Sequence, residues 1–253
     1  MYKIGLKLWS TNENYKDHII SLYNEKLFDY IELYVKPDTY LSHGSFWKSL
    51  AIPFEIHAPH FGDGVNMSLP EKFDFNHNLY LQAKQFADDL HAHIIIFHPG
   101  VGGDINETIR QIKVFNDTRI IIENKPQFGL NGELCVGHTP EEIKKIINET
   151  GVRFCLDMGH AICSANSKKI NFMSYLHRFL ELSPSLYHLT DGEITSEKDR
   201  HDHYGEGTYP IKQLLSLIPD GSIITNEAKK ESHENLDCFK KDINYFRKLL
   251  TES

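Results

Sequence analysis

The chain has 253 residues, of which 40% are hydrophobic and 25% are charged, a composition that is ordinary for a globular protein and excludes disordered and fibrous classes. Its formal charge of −8, from 27 basic and 35 acidic residues, argues against a broadly cationic surface for nucleic acid. No apolar stretch is long enough to span a bilayer, and the N-terminus lacks a cleavable apolar run, so we expect a cytoplasmic protein with no membrane partner.

Short β-branched or aromatic runs alternate with longer amphipathic stretches along the whole chain. Eight runs are predicted as strands, at residues 3–9, 28–35, 53–58, 93–98, 119–124, 152–158, 186–190 and 222–227. Eight stretches are predicted as helices, near residues 15–25, 40–50, 71–91, 104–116, 140–149, 168–181, 210–217 and 233–250. The fifth helix is the best marked, because Thr139 can cap it, Pro140 suits its first position and Glu142 can complete a capping box.

A strand followed by a helix, eight times in succession, predicts an α/β protein. We expect a single (β/α)8 TIM-barrel domain over residues 1–253, with its active site at the C-terminal ends of the strands. A doubly wound open sheet uses the same alternation and is the structural alternative. It is disfavoured because the first strand-to-helix turn, WSTNEN, has no GxGxxG phosphate loop and the chain has no Gly-Lys-Ser/Thr loop.

Polar side chains gather at the ends of the predicted strands, where a barrel of this kind carries its active site. The set consists of His57, His98, Glu123, Asp157, His160, His188, Asp199, His201 and Glu227. Four carboxylates at one mouth would repel each other without counter-charge. Five imidazoles and four carboxylates together are instead a ligand set that suits divalent metal ions, so the sequence predicts a metal centre.

The remaining histidines differ in where they lie relative to the predicted mouth of the barrel. His93 begins the strand that His98 ends, so it belongs to the opposite end of the barrel, and His91 goes with it. His60 and His203 lie close enough to the mouth for their roles to stay open. The others fall in helical stretches or remote loops and are interpreted as ordinary polar residues: His18, His43, His77, His138, His177 and His233.

Seven motifs carry a resemblance to a known family. IHAPH, FHPG, IIEN, CLDMGHA, YHLTD, DRHDHYGEG and TNEA, in this order, resemble the metal-binding motifs of the endonuclease IV family of abasic-site endonucleases, within the xylose isomerase-like TIM-barrel superfamily. The resemblance implies three zinc ions, with His57 and His98 on the first, Glu123 bridging to the second, Asp157, His188 and Glu227 completing the second, and His160, Asp199 and His201 on the third. Gly205 and Gly207 would let the last ligand loop turn sharply.

The same resemblance implies hydrolysis of a phosphodiester in abasic DNA by water that zinc activates, with Mn²⁺ as the alternative metal. Glu123 and Glu227 are the predicted catalytic residues, and Glu123 would position the water and carry its proton. Lys125 and Lys229 each follow a ligand glutamate by two residues and are candidates for phosphate contacts. No obligate protein partner is indicated.

The chain departs from the family pattern in the early strands. Lys7 stands where a histidine is usual, and His60 stands where the family tends to carry an inserting tyrosine. The loop after the second strand, KPDTYLSHG, lacks the usual arginine and glutamine. These departures concern the contacts to DNA and leave the nine predicted metal ligands unchanged.

Sugar isomerases and epimerases of the same superfamily supply the alternative function. They hold one divalent metal through four residues that correspond here to Glu123, Asp157, His188 and Glu227. Glu123 and Glu227 would then move a proton beside the carbonyl of a small sugar or sugar phosphate. This scheme ranks second because it leaves five of the nine ligand-like residues without a role. A catalytically inactive metal-binding module ranks third.

Overall fold

The β-sheet closes on itself. In a computed structural model, which describes residues 2–251, eight parallel strands follow one another in chain order, and β8 is hydrogen-bonded back to β1. The strands are β1 Lys3–Trp9, β2 Tyr30–Tyr34, β3 Phe54–His57, β4 Ile95–Phe97, β5 Ile120–Glu123, β6 Arg153–Asp157, β7 Leu186–Leu189 and β8 Ile223–Asn226. The predicted (β/α)8 barrel is confirmed. Residue 1 and residues 252–253 of the expected domain lie outside the described residues.

Helices surround the barrel. They are α1 Lys16–Asn24, α2 Tyr40–Ser49, α3 Phe73–Asp89, α4 Ile105–Phe115, α5 Pro140–Thr150, α6 Met158–Ser167, α7 Phe172–Leu180, α8 Ile211–Ser216 and α9 Asp237–Thr251. Helix α5 begins with the predicted capping box, in which the Thr139 hydroxyl accepts from the Glu142 N–H at 3.1 Å and the Glu142 carboxylate accepts from the Thr139 N–H. Within residues 2–251, no helix combines the length and the apolar sequence needed to cross a lipid bilayer.

Helix α6 was not predicted from the sequence. It starts directly after β6, because the Asp157 carboxylate accepts from the His160 N–H at 2.7 Å and so caps the helix. Residues 158–165 are all buried. A helix that exposes no face to solvent over its first eight residues shows no clear 3.6-residue alternation of apolar and polar residues, which explains why the pattern did not reveal it.

Alternation along the strands decides which side chains reach the barrel interior. On β1, Leu6 and Leu8 are buried in the main hydrophobic cluster, whereas Lys7 points inward and contacts Glu32 and Glu227. A smaller apolar cluster combines side chains of neighbouring strands, namely Ile94, Ile96, Ile121, Cys155 and Leu186. The polar inward-facing side chains lie toward the C-terminal ends of the strands, and the site is built there.

Candidate metal centre

All nine predicted ligands lie at one end of the barrel. They come from the last residues of strands, from the first turn of α6 and from the loop after β7. His57, Glu123 and Asp157 end their strands, His98 and Glu227 immediately follow theirs, His188 lies within β7, His160 lies in α6, and Asp199 and His201 lie in the loop. The structure brings these residues into three adjoining groups.

The first group joins His57, His98 and Glu123. The Nε2 atom of His57 lies 3.3 Å from Glu123 Oε2, and the Nε2 atom of His98 lies 3.2 Å from the same oxygen. His57 Nδ1 donates to the Ala58 carbonyl at 2.8 Å, so in the neutral ring the Nε2 lone pair faces the carboxylate. Burial favours the neutral acid, but the adjacent imidazole rings of His98 and His188 hold the pKa of Glu123 well below its ordinary value. The carboxylate and the His57 lone pair repel each other unless a cation lies between them.

The second group is centred on His188, which is buried in β7. Its Nε2 lies 2.9 Å from Glu32 Oε2, so an ionised Glu32 fixes the ring with Nε2 as the donor. Its Nδ1 lies 3.0 Å from Glu227 Oε1, 3.3 Å from Glu123 Oε2 and 4.0 Å from Asp157 Oδ2. One lone pair surrounded by three carboxylates is the donor arrangement of a metal site.

The third group combines His160 with the loop residues Asp199 and His201. Asp199 Oδ2 lies 2.8 Å from His201 Nε2 and 3.5 Å from His160 Nε2. His160 Nδ1 donates to the Asn124 carbonyl at 2.9 Å, so the remaining nitrogen of the ring faces Asp199. These three side chains offer two nitrogen atoms and a carboxylate around one point.

Backbone conformation marks the same loop. His201 has φ of +51°, a left-handed conformation that residues other than glycine rarely adopt, so the surroundings hold this ligand in place. Gly205 has φ of +84°, as expected for a sharp turn. Gly207 has a different reason, because a Cβ there would collide with the Asp191 side chain and the Gly192 backbone. Close packing, rather than a turn, requires glycine at position 207.

Several buried atoms of the centre make no hydrogen bond of regular geometry among residues 2–251, although some of them lie at ion-pair distance from a neighbour, as Asp199 Oδ2 does from His201 Nε2. The atoms are Glu123 Oε1, His188 Nδ1, both carboxylate oxygens of Asp199 and His201 Nδ1. Buried polar atoms in proteins nearly always have a partner, and these atoms are carboxylate oxygens and imidazole nitrogens. Oxygen and nitrogen donors of this kind fit zinc or manganese, so the residues present suit a divalent metal.

The charges of the centre also change proton affinities. Burial raises the pKa of Asp157 to about 6, with the charge of His160 opposing the increase and that of Asp199 adding to it. Burial would lower the pKa of His201, but the adjacent Asp199 raises it to about 9. Protons therefore compete with a metal for these ligands.

Residues 28–249 match the family model described as the xylose isomerase-like TIM barrel. The chain belongs to that family. The match covers seven of the eight strands and all nine candidate ligands. It confirms the superfamily to which the seven motifs pointed.

Proteins similar to this chain carry two kinds of name. A probable endonuclease 4 of Aquifex aeolicus is 28% identical over 198 residues, which cover 68% of this chain and 68% of that protein. The structure of endonuclease IV from Thermus thermophilus is similar with a TM-score of 0.72 at 17% identity, covering 99% of this chain and 100% of that one. A D-tagatose 3-epimerase-like protein is similar with a TM-score of 0.74 at 18% identity, covering 99% and 97%. The two structures show the shared fold.

Lys7 and Glu32 also contact the candidate metal ligands of this xylose isomerase-like barrel, although they were not predicted from the sequence to belong to the centre. Lys7 and Glu32 are neighbours in the β1–β2 register, and Lys7 Nζ lies 3.2 Å from Glu32 Oε1 and contacts Glu227 Oε1. The sequence did contain a signal for both residues, because each is a charged residue between apolar neighbours inside a strand, in GLKLW and YIELY. A buried charge of this kind requires a partner.

Lys125 and Lys229, the two candidates for phosphate contacts, lie in different surroundings. Lys125 Nζ lies 3.4 Å from His160 Nε2 and 3.9 Å from Glu123 Oε1, so Lys125 lines the mouth. Lys229 is exposed and lies 3.6 Å from Asp202 instead.

The two histidines near the mouth also differ from each other. The His60 ring stacks on the His98 ring with centroids 4.8 Å apart. His203 instead pairs with the buried Asp242 of α9, with 2.9 Å between Nδ1 and Oδ2. His60 therefore borders the metal centre, whereas His203 anchors the loop that follows His201.

Proposed function

We propose that this protein is a metal-dependent phosphodiester hydrolase that acts at abasic sites in DNA and holds up to three zinc ions. The observation that carries the proposal is the grouping of the ligand atoms. In His57–His98–Glu123 and in His160–Asp199–His201, one ligand atom from each residue lies within 4.8 Å of the others. His188 Nδ1, with its three carboxylate neighbours, provides the position between them.

Zinc, or manganese as the alternative, would supply an activated water and charge compensation for the phosphate. Glu123 would connect two metal positions, because its Oε2 is shared by His57, His98 and His188. Its other oxygen, Oε1, lies 3.0 Å from His160 Nδ1 and 3.9 Å from Lys125 Nζ and would accept the proton of the attacking water.

Glu227 and Lys125 would complete the machinery. Glu227 Oε2 lies 3.9 Å from His201 Nδ1, and Glu227 Oε1 lies 3.0 Å from His188 Nδ1, so Glu227 would connect the second and third positions. The Lys125 ammonium borders the mouth and would contact a non-bridging phosphate oxygen. The name of the Aquifex aeolicus relative, probable endonuclease 4, supports DNA as the partner.

A one-metal sugar isomerase is the second candidate. The observation in its favour is that Glu123 and Glu227 flank the same atom, His188 Nδ1, at 3.3 and 3.0 Å. Two carboxylates beside one metal ligand could act as an acid and base pair. The epimerase-like name of one structural neighbour agrees with this candidate.

Metal content and DNA cleavage together test the proposal. Protein purified without chelator is re-equilibrated with zinc and with manganese, metals are counted by elemental analysis, and a labelled duplex with one abasic site is incubated with each form. We expect about three zinc ions per chain and incision of the abasic duplex but not of the intact one. About one ion, no incision and isomerisation of a sugar would favour the second candidate.

A matched pair of variants tests whether the third group, His160, Asp199 and His201, holds a metal ion. His201→Ala removes a predicted ligand, and His233→Ala makes the same change at an exposed histidine far along the chain, after β8. We expect His201→Ala to lose about one metal ion and most of the hydrolysis while the barrel stays folded by circular dichroism. Equal metal content and activity in both variants would contradict the assignment.

A further inference from the structure

Trp9, the last residue of β1, lies level with the candidate metal ligands along the barrel axis. The strand register pairs Trp9 with Tyr34 on β2 and Tyr34 with His57 on β3, so the three side chains form one layer of the barrel mouth. Trp9 follows Lys7 by two residues and therefore points to the same side of β1 as Lys7, which faces the interior. Trp9 stands beside the opening of the metal centre.

Trp9 remains open to solvent, and it begins a row of rings that leads to the ligands. It is 54% exposed, whereas the other tryptophan of the chain, Trp47, is 0% exposed. Ring centroids are 6.5 Å apart from Trp9 to Tyr34, 4.9 Å from Tyr34 to His60 and 4.8 Å from His60 to His98. An aromatic wall thus joins an exposed indole to a candidate zinc ligand.

A cation accompanies the exposed end of this wall. Lys36 Nζ lies 5.5 Å from the Trp9 ring centre and 5.6 Å from that of Tyr34. The Asp63 carboxylate contacts both the Lys36 ammonium and the Tyr34 hydroxyl, so it fixes the two groups beside the indole. The Lys36 side chain is 32% exposed and can still reach an anion in solvent.

We propose that Trp9, Tyr34 and Lys36 form a nucleotide subsite, in which the base next to the scissile phosphate stacks on Trp9 and a flanking phosphate meets Lys36. The inference rests on the proposed function and names the part of the substrate that this wall holds. A nucleotide strand offers both a flat ring and a phosphate, and it is long enough to extend from the metal ligands to Trp9. One monosaccharide at His98 is separated from Trp9 by three ring-to-ring steps.

Intrinsic fluorescence gives a direct measurement, because Trp9 is the exposed one of two tryptophans. The zinc-loaded protein is titrated with a duplex that has one abasic site and a non-hydrolysable methylphosphonate at the neighbouring linkage. Stacking predicts quenching of the emission, and the Trp9→Phe variant should lose this change because Trp47 is buried. Quenching by a sugar phosphate but not by the duplex would overturn the nucleotide assignment.

Binding of a labelled duplex to two variants separates stacking from charge. Trp9→Ala should weaken binding about five- to tenfold, in line with the loss of one base-stacking contact, while the metal content is unchanged. The matched control is Leu81→Ala, which shortens an exposed apolar side chain on α3. Lys36→Met should reduce the slope of log Kd against log salt by about one.

The outcomes distinguish failure of the subsite from failure of the function. If the wild type binds and cleaves abasic DNA but Trp9→Ala binds it as tightly and no quenching occurs, the subsite is wrong and the hydrolase stands. If the wild type neither binds nor cleaves the duplex under any metal, the proposed function fails and the nucleotide subsite fails with it.

Discussion

The ammonium group of Lys7 contacts Glu227 Oε1 and lies 3.2 Å from Glu32 Oε1, within the set of candidate metal ligands. Burial would lower the pKa of Lys7, but Glu227 and Glu32 raise it above its ordinary value, so the group stays charged. Glu227 Oε1 also lies 3.0 Å from His188 Nδ1. A fixed positive charge and a bound divalent ion would therefore share one carboxylate.

Removing that charge should strengthen metal binding. Lys7→Met keeps the length of the side chain and eliminates the repulsion between the ammonium and a nearby divalent ion, which is strong at short range in a buried site. We expect zinc affinity to increase about tenfold or more, equivalent to about 1.4 kcal/mol, measured by competition with a chelator. Lys229→Met makes the same change outside the mouth and is the control. Weaker binding in Lys7→Met would mean that Lys7 instead holds the ligands in position.

Glu32 should affect metal binding through His188. Its Oε2 accepts from the Thr225 hydroxyl at 2.6 Å and lies 2.9 Å from His188 Nε2, so its negative charge fixes the ring orientation and makes Nδ1 a better donor. Glu32→Gln keeps the size and removes the charge. We expect zinc affinity to fall about 10- to 100-fold, while Glu55→Gln, at the neighbouring register position on β3, leaves it unchanged. Equal affinities in the two variants would contradict this role.

The ends of the strands were predictable because their signals are local. Strand β5 shows three isoleucines followed by Glu123, and a parallel barrel brings every such strand end to one mouth. The nine candidate ligands could therefore be named from the sequence, and the structure gathers them at one end. Helix α6 escaped prediction since its first eight residues are buried on all sides and leave no amphipathic period.

The roles of Lys7 and Glu32 depend on contacts that the sequence pattern does not contain. Lys7 and Glu227 are 220 residues apart, and they meet only because β8 pairs with β1. The partner of Glu32 on β7, His188, is 156 residues away. The exposed position of Trp9 likewise follows from its height at the mouth, which the register between β1, β2 and β3 determines.

Metal release should respond to acid through Asp157. Burial raises the pKa of this carboxyl to about 6, and a metal binds only the ionised form, so lowering the pH through 6 replaces metal by a proton. We expect the affinity of the second position to fall up to about tenfold per pH unit below 6, measured by equilibrium dialysis between pH 7.5 and 5. Asp157→Asn should bind weakly throughout and, at a pH below 6, release up to one proton fewer per metal bound than the wild type. An unchanged proton release would contradict the assignment.

Glu55 should make stability depend on pH by a mechanism that needs no metal. Its Oε2 accepts from the His93 N–H at 3.0 Å, near the start of β4, and burial raises its pKa to about 7 although backbone N–H groups and Arg153 oppose the shift. The folded state then keeps a proton that the unfolded chain releases above about pH 4.5. The contribution to stability is complete below pH 4.5 and is lost as the pH rises to 7.

The variant Glu55→Gln cannot ionise, so it avoids this loss. We expect its free energy of unfolding to exceed that of the wild type by about 1–3 kcal/mol at pH 8 and to match it near pH 4.5, measured by urea denaturation of chelator-treated protein. Glu234→Gln changes an exposed glutamate in the same way and should be neutral at both pH values. A Glu55→Gln effect of the same size at both pH values would show that packing or hydrogen bonding, and not the ionisation of Glu55, causes the difference.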